Sequence, residues 1–158
     1  MESVAILVDV QNIYYTTRDR YKSHFDYNAF WRKATANREV LEANAYAIAS
    51  NNPKQRQFHH ILRGIGFNVK LKPFIQRMDG SAKGDWDVGI TLDAIELAMQ
   101  ADVIILLSGD GDFDLLAQRI RNKYKKEIEV YGVKDLTAQS LIESVDRFIE
   151  IDHNLLIY

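Results

Sequence analysis

The chain has 158 residues, 47% of them apolar and only 8 Gly and 2 Pro, so it has the composition of one globular domain rather than a disordered or fibrous chain. Twenty basic and 22 acidic residues leave a formal charge of -2, which favours no polyanionic or polycationic partner by itself. The absence of cysteine excludes disulfides, thiolate zinc sites, iron-sulfur clusters and cysteine nucleophiles together.

In chain order, short apolar or alternating runs predict strands at Val4 to Val8, Ala43 to Ala49, Phe67 to Lys72, Val103 to Leu107 and Ile128 to Val133. Helical spacing falls between them. Phe30, Ala34 and Val40 mark one stretch, and Pro53 to Arg63, Val88 to Met99, Leu115 to Tyr124 and Leu136 to Val145 mark the others. Strands alternating with helices imply right-handed crossovers. The predicted fold class is therefore α/β, a three-layer α/β/α sandwich with a mainly parallel central sheet, formed by residues 1–158 as a single domain. The run from Pro73 to Gly84 is the one long irregular segment and a candidate functional edge. No apolar run is long enough to span a bilayer and no signal-peptide core precedes Asp9, so a cytoplasmic protein without a membrane partner is expected. The apolar tail Leu155 to Tyr158 either packs on the core or joins subunits into a homo-oligomer.

The acidic residues divide into 14 Asp and 8 Glu, and short carboxylates suit caps, turns and rigid metal sites. Asp9 ends the first predicted strand, where open parallel sheets place ligands. The run VIILLSGDGDFD sets Ser108, Asp110, Asp112 and Asp114 directly after a buried strand. One Asp there is explained as a helix cap, whereas three within five residues repel one another until a cation offsets them. In KGDWDVGITLDAIELA, a loop passes into a helix near Asp85 to Val88. Helical residues two apart point about 200° apart, so Asp87 is chosen for the site and Asp85 is read as an N-cap. Asp93 lies about 9 Å farther along the helix and about 240° around it, which suits a supporting role.

Asp9, Asp87, Asp110 and Asp112 are thus expected to converge at the sheet's carboxyl edge as catalytic residues and metal ligands. Hard oxygen donors select Mg²⁺ or Mn²⁺, and ions of this kind serve phosphodiester cleavage. Similar motifs fail on detail: an EF-hand starting at Asp110 would carry Leu115 where Gly is required and Arg121 where Glu is required. No GxxxxGK[ST], no GxGxxG after the first strand and no GxSxG elbow is present. The four histidines, at 24, 59, 60 and 153, have no metal-ligand spacing and read as structural or solvated.

Three ordered motifs resemble the NYN domains, relatives of the PIN-like nucleases that include the bacterial LabA-like group. They are the strand with DVQN from Val4 to Asn12, KGDWDVGITLDAIELA from Lys83 to Ala98, and LLSGDGDFDLLAQ from Leu106 to Gln118. The resemblance implies a PIN-like Rossmannoid fold, a divalent metal held by acidic residues, and endoribonuclease activity on RNA. Position by position, it carries over Asp9, Asn12, Asp87, Asp110 and Asp112, with Asp93 at a commonly acidic position. Asn12 and Ser108, with Asp93 and Asp114, are expected to support the carboxylates from behind. Arg77, Lys83 and Trp86 are the expected substrate contacts, beside Lys70, Lys72 and Phe74, with Arg18, Arg20 and Lys22 after the first motif. Two other readings stay open: a catalytically silent module that binds RNA or a protein partner, and a phosphohydrolase acting on a small substrate.

Overall fold

The computed structural model describes residues 1–73, 75–76, 82–83 and 85–157, with 75–76 and 82–83 as backbone alone. Its elements run β1 (Glu2–Asp9), α1 (Val10–Tyr21), β2 (His24–Phe25), α2 (Tyr27–Ala34), β3 (Arg38–Ile48), α3 (Pro53–Ile65), β4 (Asn68–Lys72), β5 (Ile75–Gln76) and β6 (Ala82–Lys83). They continue with α4 (Asp87–Ala98), β7 (Val103–Leu107), α5 (Asp114–Asn122), β8 (Glu127–Gly132), α6 (Gln139–Ser144), β9 (Arg147–Glu150) and β10 (Leu156–Ile157). Short 3-10 turns occupy Gly111–Phe113, Lys134–Leu136 and His153–Leu155.

Six strands form one sheet in the order β4-β3-β1-β7-β8-β9, and every neighbouring pair is parallel. The two central strands are apolar over Val4–Val8 of β1 and throughout β7, because both of their faces are covered. Val4, Ile6 and Val8 face one core with Ile13 of α1, Phe30 of α2 and Leu62 of α3. Ala5 and Leu7 face the other, with Ile90 and Ala94 of α4, Ile120 of α5 and Leu141 of α6. The fold is thus the expected α/β sandwich, with a central sheet that is wholly parallel.

The element boundaries depart from expectation where local pattern is weak. Val40 lies in β3, opposite Val4: α2 stops at Ala34 with Thr35 as its C-cap, and Asn37, at a left-handed φ of 59°, lies in the turn that leads into the strand. α1 was not expected: its exposed Tyr14 and Tyr15 and its adjacent threonines blur the apolar stripe. β9 and β10 are too short to show a periodicity. Leu155 and Leu156 of the apolar tail are buried in the first core, and Leu156 pairs with Phe25 of β2, whereas Tyr158 lies outside the described residues. Among the described residues, no helix is long and apolar enough to cross a membrane.

Taken in chain order, the sheet's strands read 3-2-1-4-5-6, so the winding reverses between β1 and β7. Chains leaving the carboxyl ends of these two strands turn to opposite faces and leave a crevice between them. Asp9 and Ser108 stand at that crevice.

Candidate metal centre

Asp9 closes β1 and caps α1, its Oδ1 accepting from the Asn12 N–H at 3.4 Å. Its Oδ2 accepts from the Ser108 hydroxyl of the adjacent strand end at 3.2 Å. The Ser108 oxygen in turn accepts from the Asp110 N–H at 3.2 Å, and the Asn12 Oδ1 accepts from the Gly109 N–H at 2.9 Å. Asn12 and Ser108 therefore tie the two strand ends together and set the path of the SGDGD loop. Burial pushes the Asp9 carboxyl up to about 6, against the lowering effect of Asn12 and Ser108, and the charges of Asp110 and Asp85 push it further the same way.

Asp110 caps the turn that follows, its Oδ1 accepting from the Asp112 N–H at 2.9 Å. That hydrogen bond aligns the two acidic residues on one tight turn. The glycines between and before them are needed for close approach. A Cβ on Gly109 would meet Leu136 O at 2.9 Å, and one on Gly111 would meet Ala138 Cβ at 2.8 Å. The 136–138 segment, bonded through Ala138 N–H to Gly109 O at 3.1 Å, thus buttresses the loop from behind. Nothing in the local sequence around residue 137 signals this contact.

Asp87 enters from the first turn of α4. Three contacts fix the entry: the Asp87 N–H donates to Asp85 Oδ1 at 3.2 Å, the Lys72 ammonium to Asp85 O at 2.8 Å, and the Trp86 indole N–H to Ala47 O at 2.9 Å. Asp85 thus sits one residue before the N-cap position, which Trp86 occupies, and its side chain accepts from the first helical N–H. One carboxylate oxygen from each of Asp87, Asp110 and Asp112 lies within 4.8 Å of the other two. Partial burial pushes Asp87 up to about 7, helped by a hydrogen bond to Asp110 and by the charges of Asp110, Asp85 and Asp9.

The trio has the donor chemistry of a hard-cation site: three carboxylates, no sulfur and no imidazole, gathered against their mutual repulsion. It could hold a metal ion. Asp9 falls outside this group of three; its oxygens accept from Asn12 and Ser108, and its charge helps to raise Asp87. Asp114 is the half-buried first residue of α5, where its charge complements the helix dipole. Asp93 turns away from the trio and accepts from the Tyr46 hydroxyl and the Lys70 ammonium, each at 2.7 Å. Its contacts are with β3 and β4, so it braces the flank of the site and not the carboxylates themselves.

The expected substrate residues have different fates. Trp86 is half-buried, with its ring 5.3 Å from that of Tyr46 and the Lys72 ammonium 4.7 Å over its face. A Cβ on Gly89 would come within 2.6 Å of the same ring. These contacts make Trp86 a packing residue and not an open platform for a base. Arg77 and Phe74 lie outside the described residues, as does the side chain of Lys83. Lys70 and Lys72 are occupied by Asp93 and Asp85. A shallow depression of about 190 Å³ adjoins the trio, lined by Asp87, Val88, Thr91, Leu92, Asp112 and Phe113.

Residues 3–152 match the NYN domain. The chain is 28% identical to the low amplitude and bright protein LabA of Synechococcus elongatus, over 94% of this chain and 83% of that one. It resembles the crystal structure of a protein of unknown function from Vibrio parahaemolyticus with a TM-score of 0.95 and 65% identity, covering 99% of this chain and 96% of the other. A carbohydrate kinase from Agrobacterium tumefaciens shares the fold at 12% identity and a TM-score of 0.52, over 94% of this chain and 60% of the kinase.

Proposed function

The chain belongs to the NYN domain family, and on that premise we propose that it is a metal-dependent endoribonuclease that hydrolyses RNA phosphodiester bonds. The observation that carries this reading is the carboxylate trio at the point where the winding of the sheet reverses. Asp87, Asp110 and Asp112 would hold Mg²⁺ or Mn²⁺, which when bound supplies an activated water and offsets charge on the phosphate. The remaining residues keep the trio in place. Asp9 adds a fourth, buried negative charge and holds the Ser108 hydroxyl, while Ser108 and Asn12 fix the backbone that presents Asp110. The Lys72 and Trp86 contacts hold the start of α4 so that Asp87 meets Asp110.

A second reading, a silent module that binds RNA or a protein partner, draws support from the internal engagement of Lys70 and Lys72. Purified protein incubated with end-labelled single-stranded RNA, single-stranded DNA and p-nitrophenyl phosphate separates the readings. Internal cleavage of RNA in Mn²⁺ or Mg²⁺, none in EDTA and no turnover of the small ester is the expected result. Cleavage that survives EDTA refutes the metal chemistry, and binding of RNA without cleavage in either metal favours the silent module.

A further inference from the structure

An acidic cluster that works on a polyanion needs an approach route its own charge does not block. The starts of α4 and α5 and the loop between β7 and α5 bring Asp85, Asp87, Asp110, Asp112 and Asp114 to one side of the crevice, with no Lys or Arg among residues 84–118, so that side repels a phosphate backbone. On the other side is α1, whose first turn is joined to the SGDGD loop through Asn12. Its outward face presents Tyr14 and Tyr15, which are 38% and 55% exposed. The two rings meet edge to face at 5.4 Å, and the His24 ring stacks on Tyr14 at 6.2 Å. The Arg18 guanidinium lies 6.0 Å from the Tyr14 ring. Arg20 is engaged by Asp135, whereas Arg18 makes no ion pair among the described residues. Tyr15 and Arg18 lie about 4.5 and 9 Å along the helix axis from Asn12. Exposed rings held in place beside a cation, on a helix that starts at the carboxylates, have the makeup of a single-strand binding surface: base faces stack on the rings and the cation takes a phosphate.

We infer that the outward face of α1, built on Tyr14, Tyr15 and Arg18, is a stacking surface for single-stranded RNA that leads into the carboxylate trio. The choice of RNA rests on the ribonuclease reading, so the test measures affinity in EDTA, where the outcome does not depend on cleavage. A fluorescein-labelled ten-nucleotide oligouridylate is titrated with wild type, Tyr14→Ala/Tyr15→Ala, Tyr15→Trp, Arg18→Gln and Tyr124→Ala. Tyr124, a half-buried tyrosine with Lys123 5.7 Å over its ring just past α5, serves as the control away from α1. The double alanine variant should bind at least about tenfold more weakly, while Tyr15→Trp, which keeps a stacking face, holds wild-type affinity. Arg18→Gln should flatten the plot of log Kd against log salt by about 0.7, as expected for one lost phosphate contact. Tyr124→Ala should bind as wild type does. An affinity that the double variant and Arg18→Gln both leave unchanged overturns the inference, as does an equal loss in Tyr124→Ala. Absence of RNA binding by the wild type also overturns it and leaves the tyrosine pair to a protein partner.

Discussion

Asp110→Asn is expected to lower metal-dependent RNA cleavage by roughly three orders of magnitude without unfolding the protein. The substitution is close to isosteric, and an asparagine oxygen still accepts the Asp112 N–H that shapes the turn, because Asn caps as well as Asp does. The Ser108 contact is to the backbone N–H of residue 110 and also survives. What is lost is one of three negative charges within 4.8 Å of one another, and with it much of the attraction for a divalent ion. In EDTA the variant should melt no lower than wild type, because the repulsion between residues 110 and 87 is gone. Parallel cleavage assays and melting curves check both halves. A variant that melts much lower, or one that cleaves at the wild-type rate, contradicts the role given to Asp110.

Burial of the carboxylates, reinforced by that repulsion, makes stability depend on pH in a definite direction. Asp9 and Asp87 have folded-state values pushed up to about 6 and about 7, above the ordinary carboxylate value of 3.8. Between pH 4 and 7 the folded protein therefore keeps protons that the unfolded chain has released, so these two groups lower stability as pH rises. Their contribution is complete below pH 4 and is lost as pH passes through their folded values. For buried Asp9, a shift of about two pH units is worth about 3 kcal/mol, or roughly 6 to 12 °C in Tm for a chain of this length. Asp102 runs the other way: the Ser3 N–H and hydroxyl hold it below the ordinary range, so it acts only at lower pH. Calorimetry in EDTA at pH 4.5, 6 and 7.5 should thus give a falling Tm, with a shallower fall in Asp110→Asn. At pH 7.5, Mn²⁺ at 100 times its Kd should restore about 2.7 kcal/mol to wild type and much less to the variant. A Tm that rises from pH 4.5 to 7.5, or one indifferent to Mn²⁺, would show that the carboxylates are settled as caps and bind no ion.

Which parts of this were legible in the sequence follows from how far each contact reaches along the chain. Val103–Leu107 is a strand that local pattern alone predicts, since a run buried on both faces is apolar at every position. Asp110 and Asp112 stand out because they follow it directly and because their repulsion needs an explanation. The division between the trio and Asp9 was not legible. It depends on the β1–β7 pairing, which brings Ser108 to a residue 99 positions earlier and so engages one Asp9 oxygen. Asp93 illustrates the same limit, since its partners Tyr46 and Lys70 come from two other strands. Glu129 sits in an alternating strand, yet it is buried, and Arg38, 91 residues away in sequence, grips both of its oxygens at 3.0 and 2.7 Å. The tyrosine pair of α1 is hard to place without the helix that carries it, although Tyr-Tyr followed three residues later by Arg is visible in the sequence as aromatic residues beside a cation.

The central claim is that Asp87, Asp110 and Asp112 together hold the ion that RNA cleavage requires. Crystals of the wild-type protein soaked in Mn²⁺ at pH 7.5 and measured above the manganese absorption edge test it directly. An anomalous difference peak is expected within coordination distance of all three carboxylates, absent from Asp110→Asn crystals treated in the same way. A peak that persists in the variant, or manganese bound elsewhere while the trio stays empty, would contradict it.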